Sequence, residues 1–446
     1  MIKNYRVQPV DNPRDFDVQE LFFSITDRKG VIRGCNEVFT RIAGFEPHKI
    51  LDQPHNIIRH PHMPRAVFKL LWDYILDGRP VGAYVKNMAE TGEYYWVFAL
   101  VVPVDNEFLS IRLKPTSHLL PAVEALYAKT LKYELTFGDD WRQGMVQSGD
   151  QLLADVVELG YESYDDFMTQ ALDAEIKARR EQINSRGSSA VFTVQPLVEI
   201  EPLVALRRQL VKTNTYFETL CEEVRYVATN ARIVAARLKE GSETLGVISR
   251  EVSEVAGDIR ENRDALDKEV DGFRNVLYAC TYSVSYLALL REMEEYFDDE
   301  RARNRSSEEE QRQNYGRSLS ELSTYLRDCV ETAERSNADS LRLLEVTLGQ
   351  FRTFVRQLAN ILLTLQFGYV TGKSITAIIE NGHEFALLLE SMLDCSRGAT
   401  DQVNDLKAAI VGVERVVFHW RRLCYSGASI LPPPRRSPAL RTAGQF

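Results

Sequence analysis

The chain has 446 residues, 44% hydrophobic and 26% charged, with 54 Lys and Arg against 64 Asp and Glu. That length predicts two to four domains, and the composition excludes a collagen, a disordered chain and a disulfide miniprotein. A net charge of −10 leaves no basic footprint for nucleic acid.

The cysteines Cys35, Cys221, Cys280, Cys329, Cys395 and Cys424 are scattered, with no metal-type spacing. They read as reduced core thiols of a cytoplasmic protein. Met1–Asp15 is polar and lacks the apolar core of a signal peptide. No apolar run reaches the ~18–20 residues a membrane helix needs, so no span is expected.

Residues 17–116 predict a small α+β domain: a five-stranded antiparallel sheet with flanking helices. Strands are expected at Leu21–Thr26, Val31–Gly34, Gly82–Asn87, Tyr94–Val104 and Phe108–Leu113. Helices are expected at Asn36–Gly44 and at Ala66–Asp77, the latter amphipathic through Phe68, Leu71, Trp72 and Ile75. Pro54–Pro64 is a loop rich in proline and histidine.

Residues 117–200 predict a helical connector, with helices at Pro121–Phe137 and Gln151–Asn184 and a loop over Asn184–Pro196. From Leu203 to Leu238, and again from Leu245 to Cys280, apolar residues alternate spacings of three and four about a turn at Gly241-Ser242. Two such heptad arms predict an antiparallel helical hairpin over 203–296, with its tip near 230–245. The charged stretch Arg291–Gln313 reads as a solvated helix or hinge. A second hairpin is expected over 315–422, turning at Asn381-Gly382, and a disordered Pro-rich tail over 431–446.

The loop carries His55, Asn56, Arg59, His60 and His62. Three histidines and an arginine so close together suit a metal, a haem or an anionic cofactor. Metal is the weakest of these, because no cysteine or carboxylate cluster completes a tetrahedral set. No nucleophile–base–acid set, phosphate loop or carboxylate pair is present, so nothing argues for catalysis.

The motifs Asn36-Glu37-Val38-Phe39, Ala43-Gly44-Phe45, Pro54-His55-Asn56-Ile57-Ile58-Arg59-His60-Pro61, Val85-Lys86-Asn87 and Tyr95-Trp96-Val97 resemble the PAS sensor domain of aerotaxis receptors. The resemblance implies bound FAD and carries over Asn36, Arg59, His60, Phe68 and Asn87 as its contacts. Arg59 suits a pyrophosphate. Asn87 can offer a donor and an acceptor to the polar edge of an isoalloxazine. His55 belongs to the same loop, and Trp72 joins Phe68 as an apolar wall. His62 stands where that family commonly has an acidic residue. A haem, with a histidine as axial ligand, or an empty pocket are the alternatives.

Tyr226–Arg237, continuing through Val247–Val252, resembles the cytoplasmic tip of a methyl-accepting chemotaxis receptor. That likeness implies contact with the chemotaxis histidine kinase and its coupling adaptor through Asn230, Arg237 and Glu251. Val234 and the segment Glu223-Val224-Arg225 depart from the pattern, as do Glu243 and Thr244, which replace glycines. The chain therefore reads as a cytoplasmic, homodimeric sensor of redox state or oxygen. The alternative is a scaffold or adaptor that uses the PAS domain for dimerisation and the helices for protein binding.

Overall fold

Five strands form one antiparallel sheet: β1 (Phe22–Asp27), β2 (Ile32–Cys35), β3 (Val81–Met88), β4 (Tyr94–Val104) and β5 (Glu107–Leu113), in the order β2-β1-β5-β4-β3. In this computed structural model, residues 7–185, 201–237, 242–378 and 383–425 are described. The sequence-predicted loop at 184–196, apart from its first two residues, lies outside them. So do Gly241, the turn at Asn381-Gly382 and the tail at 431–446.

The strands are buried almost throughout, without the hydrophobic–polar alternation of a half-exposed sheet. The reason is that both faces are covered. Successive side chains point to opposite faces. On one face lie Ser24, Val85, Asn87, Ala99, Ser110 and Arg112, which line a cavity. On the other lie Phe23, Ile25, Tyr84, Phe98 and Ile111 in the hydrophobic core. Between β2 and β3 the chain forms α1 (Glu37–Ala43), α2 (Pro47–Ile50), a 3-10 turn at His55–Ile58 and α3 (Arg65–Leu76).

The connector is α4 (Leu120–Leu135), α5 (Trp141–Glu158) and α6 (Tyr164–Ser185). The single helix expected over Gln151–Asn184 is thus two. Gly160 sits at φ +98, a conformation that a helix cannot contain and that a Cβ disfavours.

Beyond it run α7 (Glu201–Arg237), α8 (Ser242–Arg303), α9 (Glu308–Tyr315), α10 (Leu319–Thr376) and α11 (His383–Tyr425). Capping boxes at Ser307/Glu310 and Ser318/Glu321 start α9 and α10. The two expected hairpins, α7–α8 and α10–α11, are present, and they pack together as a four-helix bundle. Their seams merge into one core that includes Leu210, Phe217, Ile259, Phe273, Phe351 and Trp420.

Arg291–Gln313 is only in part the solvated helix or hinge its charge suggests: residues 301–314 are mostly exposed, with a break at 304–307, whereas residues 291–300 are held against the core. The helix α8 runs unbroken to Arg303. Met293 and Phe297 are fully buried in the core that holds the sheet, and the Phe23 and Phe297 rings meet edge to face at 5.3 Å. The apolar seam of α8 continues through the charged stretch as far as residue 300.

Candidate cofactor site

A cavity of about 320 Å³ lies between the sheet, the 3-10 turn and α3. Its walls are mixed. Phe68, Leu71, Trp72, Ile75 and Phe108 are apolar, whereas Ser24, His55, Asn56, Asn87, Ser110 and Arg112 are polar.

Arg112 is the feature that sequence reading missed. It comes from the middle of the sheet on β5 and is 2% exposed. Its guanidinium donates to Ser24 Oγ at 3.0 Å, to the Ser110 carbonyl at 3.3 Å and to His55 Nε2 at 2.6 Å. It also lies 5.2 Å from the Phe39 ring centroid. No carboxylate pairs with it among the described residues. Burial lowers its pKa to about 10. A buried cation without an anion is costly, and here it faces a cavity.

Two neighbours have unused hydrogen-bonding capacity. Ser110 Oγ is buried without a partner. Asn87 is 2% exposed, and no hydrogen bond to its side-chain amide is found among the described residues. Buried polar groups are normally paired, so this wall is built for a polar occupant. Burial, with Arg112 beside it, holds His55 well below its ordinary pKa. It is therefore neutral, and Nε2 accepts from the arginine.

The other sequence-predicted residues divide. Arg59, Phe68 and Trp72 reach the cavity together with His55 and Asn87. Arg59 donates to the Met63 carbonyl at 2.7 Å and stacks over the Phe68 ring at 4.5 Å. Gly30 sits at φ +77, and a Cβ there would lie 3.0 Å from Trp72 Cζ2, so the bare backbone makes room for the indole.

Asn36 and His60 are not on the cavity wall. Asn36 is fully buried at the start of α1. Its Oδ1 accepts from the Phe23 amide at 3.1 Å, and its Nδ2 donates to the Leu21 carbonyl and to Glu300 Oε2, both at 3.2 Å. It ties β1, α1 and α8 together. His60 is 2% exposed, and its Nδ1 accepts from the His62 amide at 3.1 Å. Burial and the nearby Lys86 lower its pKa to about 3. It caps a turn as a neutral ring.

At the far end of the bundle, Arg237 and Glu251 are exposed on α7 and α8. Asn230 is partly exposed and donates to the Tyr226 carbonyl at 3.0 Å. Among the described residues, no group of His, Cys, Asp and Glu side chains could hold a metal. None of the described helices is long and apolar enough to cross a membrane.

Comparison with known proteins agrees with the geometry of the sheet. Residues 32–111 match the family model described as PAS fold. The aerotaxis receptor of Escherichia coli (strain K12) is 38% identical over 109 residues, 23% of this chain and 22% of that protein. The nitrogen fixation regulatory protein of Klebsiella pneumoniae is 28% identical over 83 residues, 19% of this chain and 17% of that one. The chain thus spans about a fifth of the length of the curated relatives it matches. A solved LOV domain from the blue-light activated histidine kinase of Erythrobacter litoralis EL346 aligns at 16% identity and a TM-score of 0.20, over 21% of this chain and 94% of that one. The sheet with its flanking helices is a PAS domain, similar in sequence to part of the aerotaxis receptor, and an all-helical region follows it.

Proposed function

We propose that the PAS domain binds FAD, with the isoalloxazine in the cavity, and that the chain is a non-catalytic sensor of redox state or oxygen. The observation that supports this most is the polar wall of Arg112, Asn87 and Ser110. It offers a buried cation, an uncommitted amide and an orphan hydroxyl to one planar ligand. A flavin, when bound, supplies reversible reduction. Arg112 would hold the electron-rich edge of the ring, and Asn87 would donate and accept beside it. Trp72 and Phe68 would exclude water, and Arg59 at the mouth would meet the pyrophosphate. The haem alternative loses ground because His55 Nε2 is committed to Arg112 and His60 is turned into a turn cap.

The output follows from the two-faced sheet. A change in the ligand's charge alters its interaction with Arg112 on β5, and Ile111 and Leu109 of that strand sit in the core shared with α8 and α10. Such a change biases a conformational equilibrium only as far as the two states bind the ligand differently. The exposed end of the bundle, with Asn230, Arg237 and Glu251, would then meet the chemotaxis histidine kinase and its coupling adaptor. The test is an absorption spectrum of the purified full chain. A flavin spectrum that bleaches with dithionite, and that is lost in Asn87→Ala, supports the reading. A Soret band or a colourless protein overturns it.

A further inference from the structure

A second, larger cavity lies on the other side of the molecule's central sheet, where the PAS domain meets α6, α8 and α10. Its volume is about 550 Å³, within the range of small-molecule sites. None of the cofactor-site residues lines it. We propose that it is a separate ligand site, which takes a small organic cation with an apolar body.

The walls carry the argument. Tyr74, Tyr278, Tyr282 and Tyr286 converge on it from α3 and α8, each at least nine-tenths buried. Aromatic rings bind cations through their negative faces. The Arg79 guanidinium already lies 4.1 Å from the centroid of Tyr74 at the edge of this cavity. Arg79 is the one cationic side chain among the described lining residues, and its charge is taken by Asp77 at 2.9 Å.

Three lining carboxylates, Asp105, Asp165 and Asp328, have no ion-pair partner among the described residues. The cavity is therefore net negative. A quaternary ammonium fits such walls, since it needs aromatic faces and nearby carboxylates and no hydrogen-bond acceptor. Because the walls come from the PAS domain and from two bundle helices, an occupant would bias how these units dock.

The experiment uses the full chain, isothermal titration and thermal denaturation. The probe is benzyltrimethylammonium, with benzoate as the control of similar body and opposite charge. Saturable one-to-one binding of the cation is expected, with a rise in melting temperature and no response to benzoate. Asp165→Asn is expected to weaken the cation about tenfold. Ala333→Phe, which fills the cavity floor, should abolish binding, and Ser336→Trp at the exposed rim does the same without touching the core. No heat of binding, equal binding of benzoate, or binding undiminished in Ser336→Trp overturns the proposal. Any flavin spectrum is unaffected by these outcomes, so this site stands or falls apart from the first.

Discussion

Glu300 is a carboxylate placed where it resists ionisation. It sits near the end of α8, 5% exposed, and accepts from the Glu37 amide at 2.8 Å and from Asn36 Nδ2 at 3.2 Å. Burial raises its pKa from 4.5 to about 7 against the opposing effect of these hydrogen bonds and of Arg303, and Glu37 adds to the rise. Tyr296, Tyr315 and Cys35 also face it. Since the folded pKa lies above the unfolded one, the folded state binds more protons between pH 4.5 and 7. The stabilisation is complete below pH 4.5 and lost as pH rises through about 7. A displacement of this size corresponds to roughly 3 kcal/mol. Glu300→Gln cannot titrate and keeps an acceptor for the Glu37 amide, losing about 1 kcal/mol for the bond from Asn36. Urea denaturation of both proteins, read through Trp72 and Trp96, gives two stability curves. The wild-type advantage over the variant should fall by roughly 3 kcal/mol from pH 4.5 to pH 8, because titrations common to both cancel. The protection factor of the Glu37 amide, its exchange rate relative to the base-catalysed intrinsic rate at each pH, should fall in the wild type relative to the variant over the same range. Parallel curves would refute the placement of this carboxylate.

Arg112→Leu removes a buried, unpaired charge, so the cofactor-free chain should gain about 1–3 kcal/mol by denaturation while losing any flavin colour. Retained colour, or a clear loss of stability, counts against its role. Gly30→Ala should cost about 1–2 kcal/mol in a thermal melt, from its φ of +77 and the 3.0 Å approach to Trp72; a neutral result would show that the indole moves freely. Because each seam of the bundle finds its partner within one chain, helical melting followed by circular dichroism should not depend on protein concentration. A melting temperature that climbs with concentration refutes this self-sufficiency.

The PAS domain was legible because its motifs are local. The loop from Pro54 to Pro64, the strand bounds and the helices around Val38 and Phe68 all follow from residues near one another in sequence. The sheet carried less information than usual, since a strand buried on both faces loses its period of two. Arg112 was missed for that reason. Only the register that sets Ser24 opposite Ser110 shows it pointing inward. The tie that holds Asn36 away from the cavity wall was not legible, because its partner Glu300 lies 264 residues away. The signal for the buried course of residues 291–300 was present: Tyr286, Leu290, Met293, Phe297 and Glu300 keep the alternation of four and three. Charge density hid it.

That continuity explains how a bundle and a sheet can act as one device. The helix α8 has 62 residues, about 93 Å at 1.5 Å per residue. Its first part supplies Ile248, Val252 and Ile259 to the bundle core. Its last part supplies Tyr282, Leu290 and Phe297 to the core under the sheet. One unbroken rod therefore belongs to both hydrophobic cores. Glu292 pairs with Arg179 of α6, and Glu300 seals the start of α1, so the rod is fixed at its sheet end by both charge and packing. The second hairpin closes the arrangement. It supplies Phe351, Leu358, Leu406 and Trp420 to the bundle core, which gives α7 and α8 the neighbours that a hairpin alone would need from a second copy. It also carries Leu322 and Leu326 of α10 into the core beneath the sheet. A shift at the PAS face thus meets two long helices, from different hairpins, that are already packed against one another. Packed cores respond to such a shift by moving between discrete arrangements rather than by deforming smoothly.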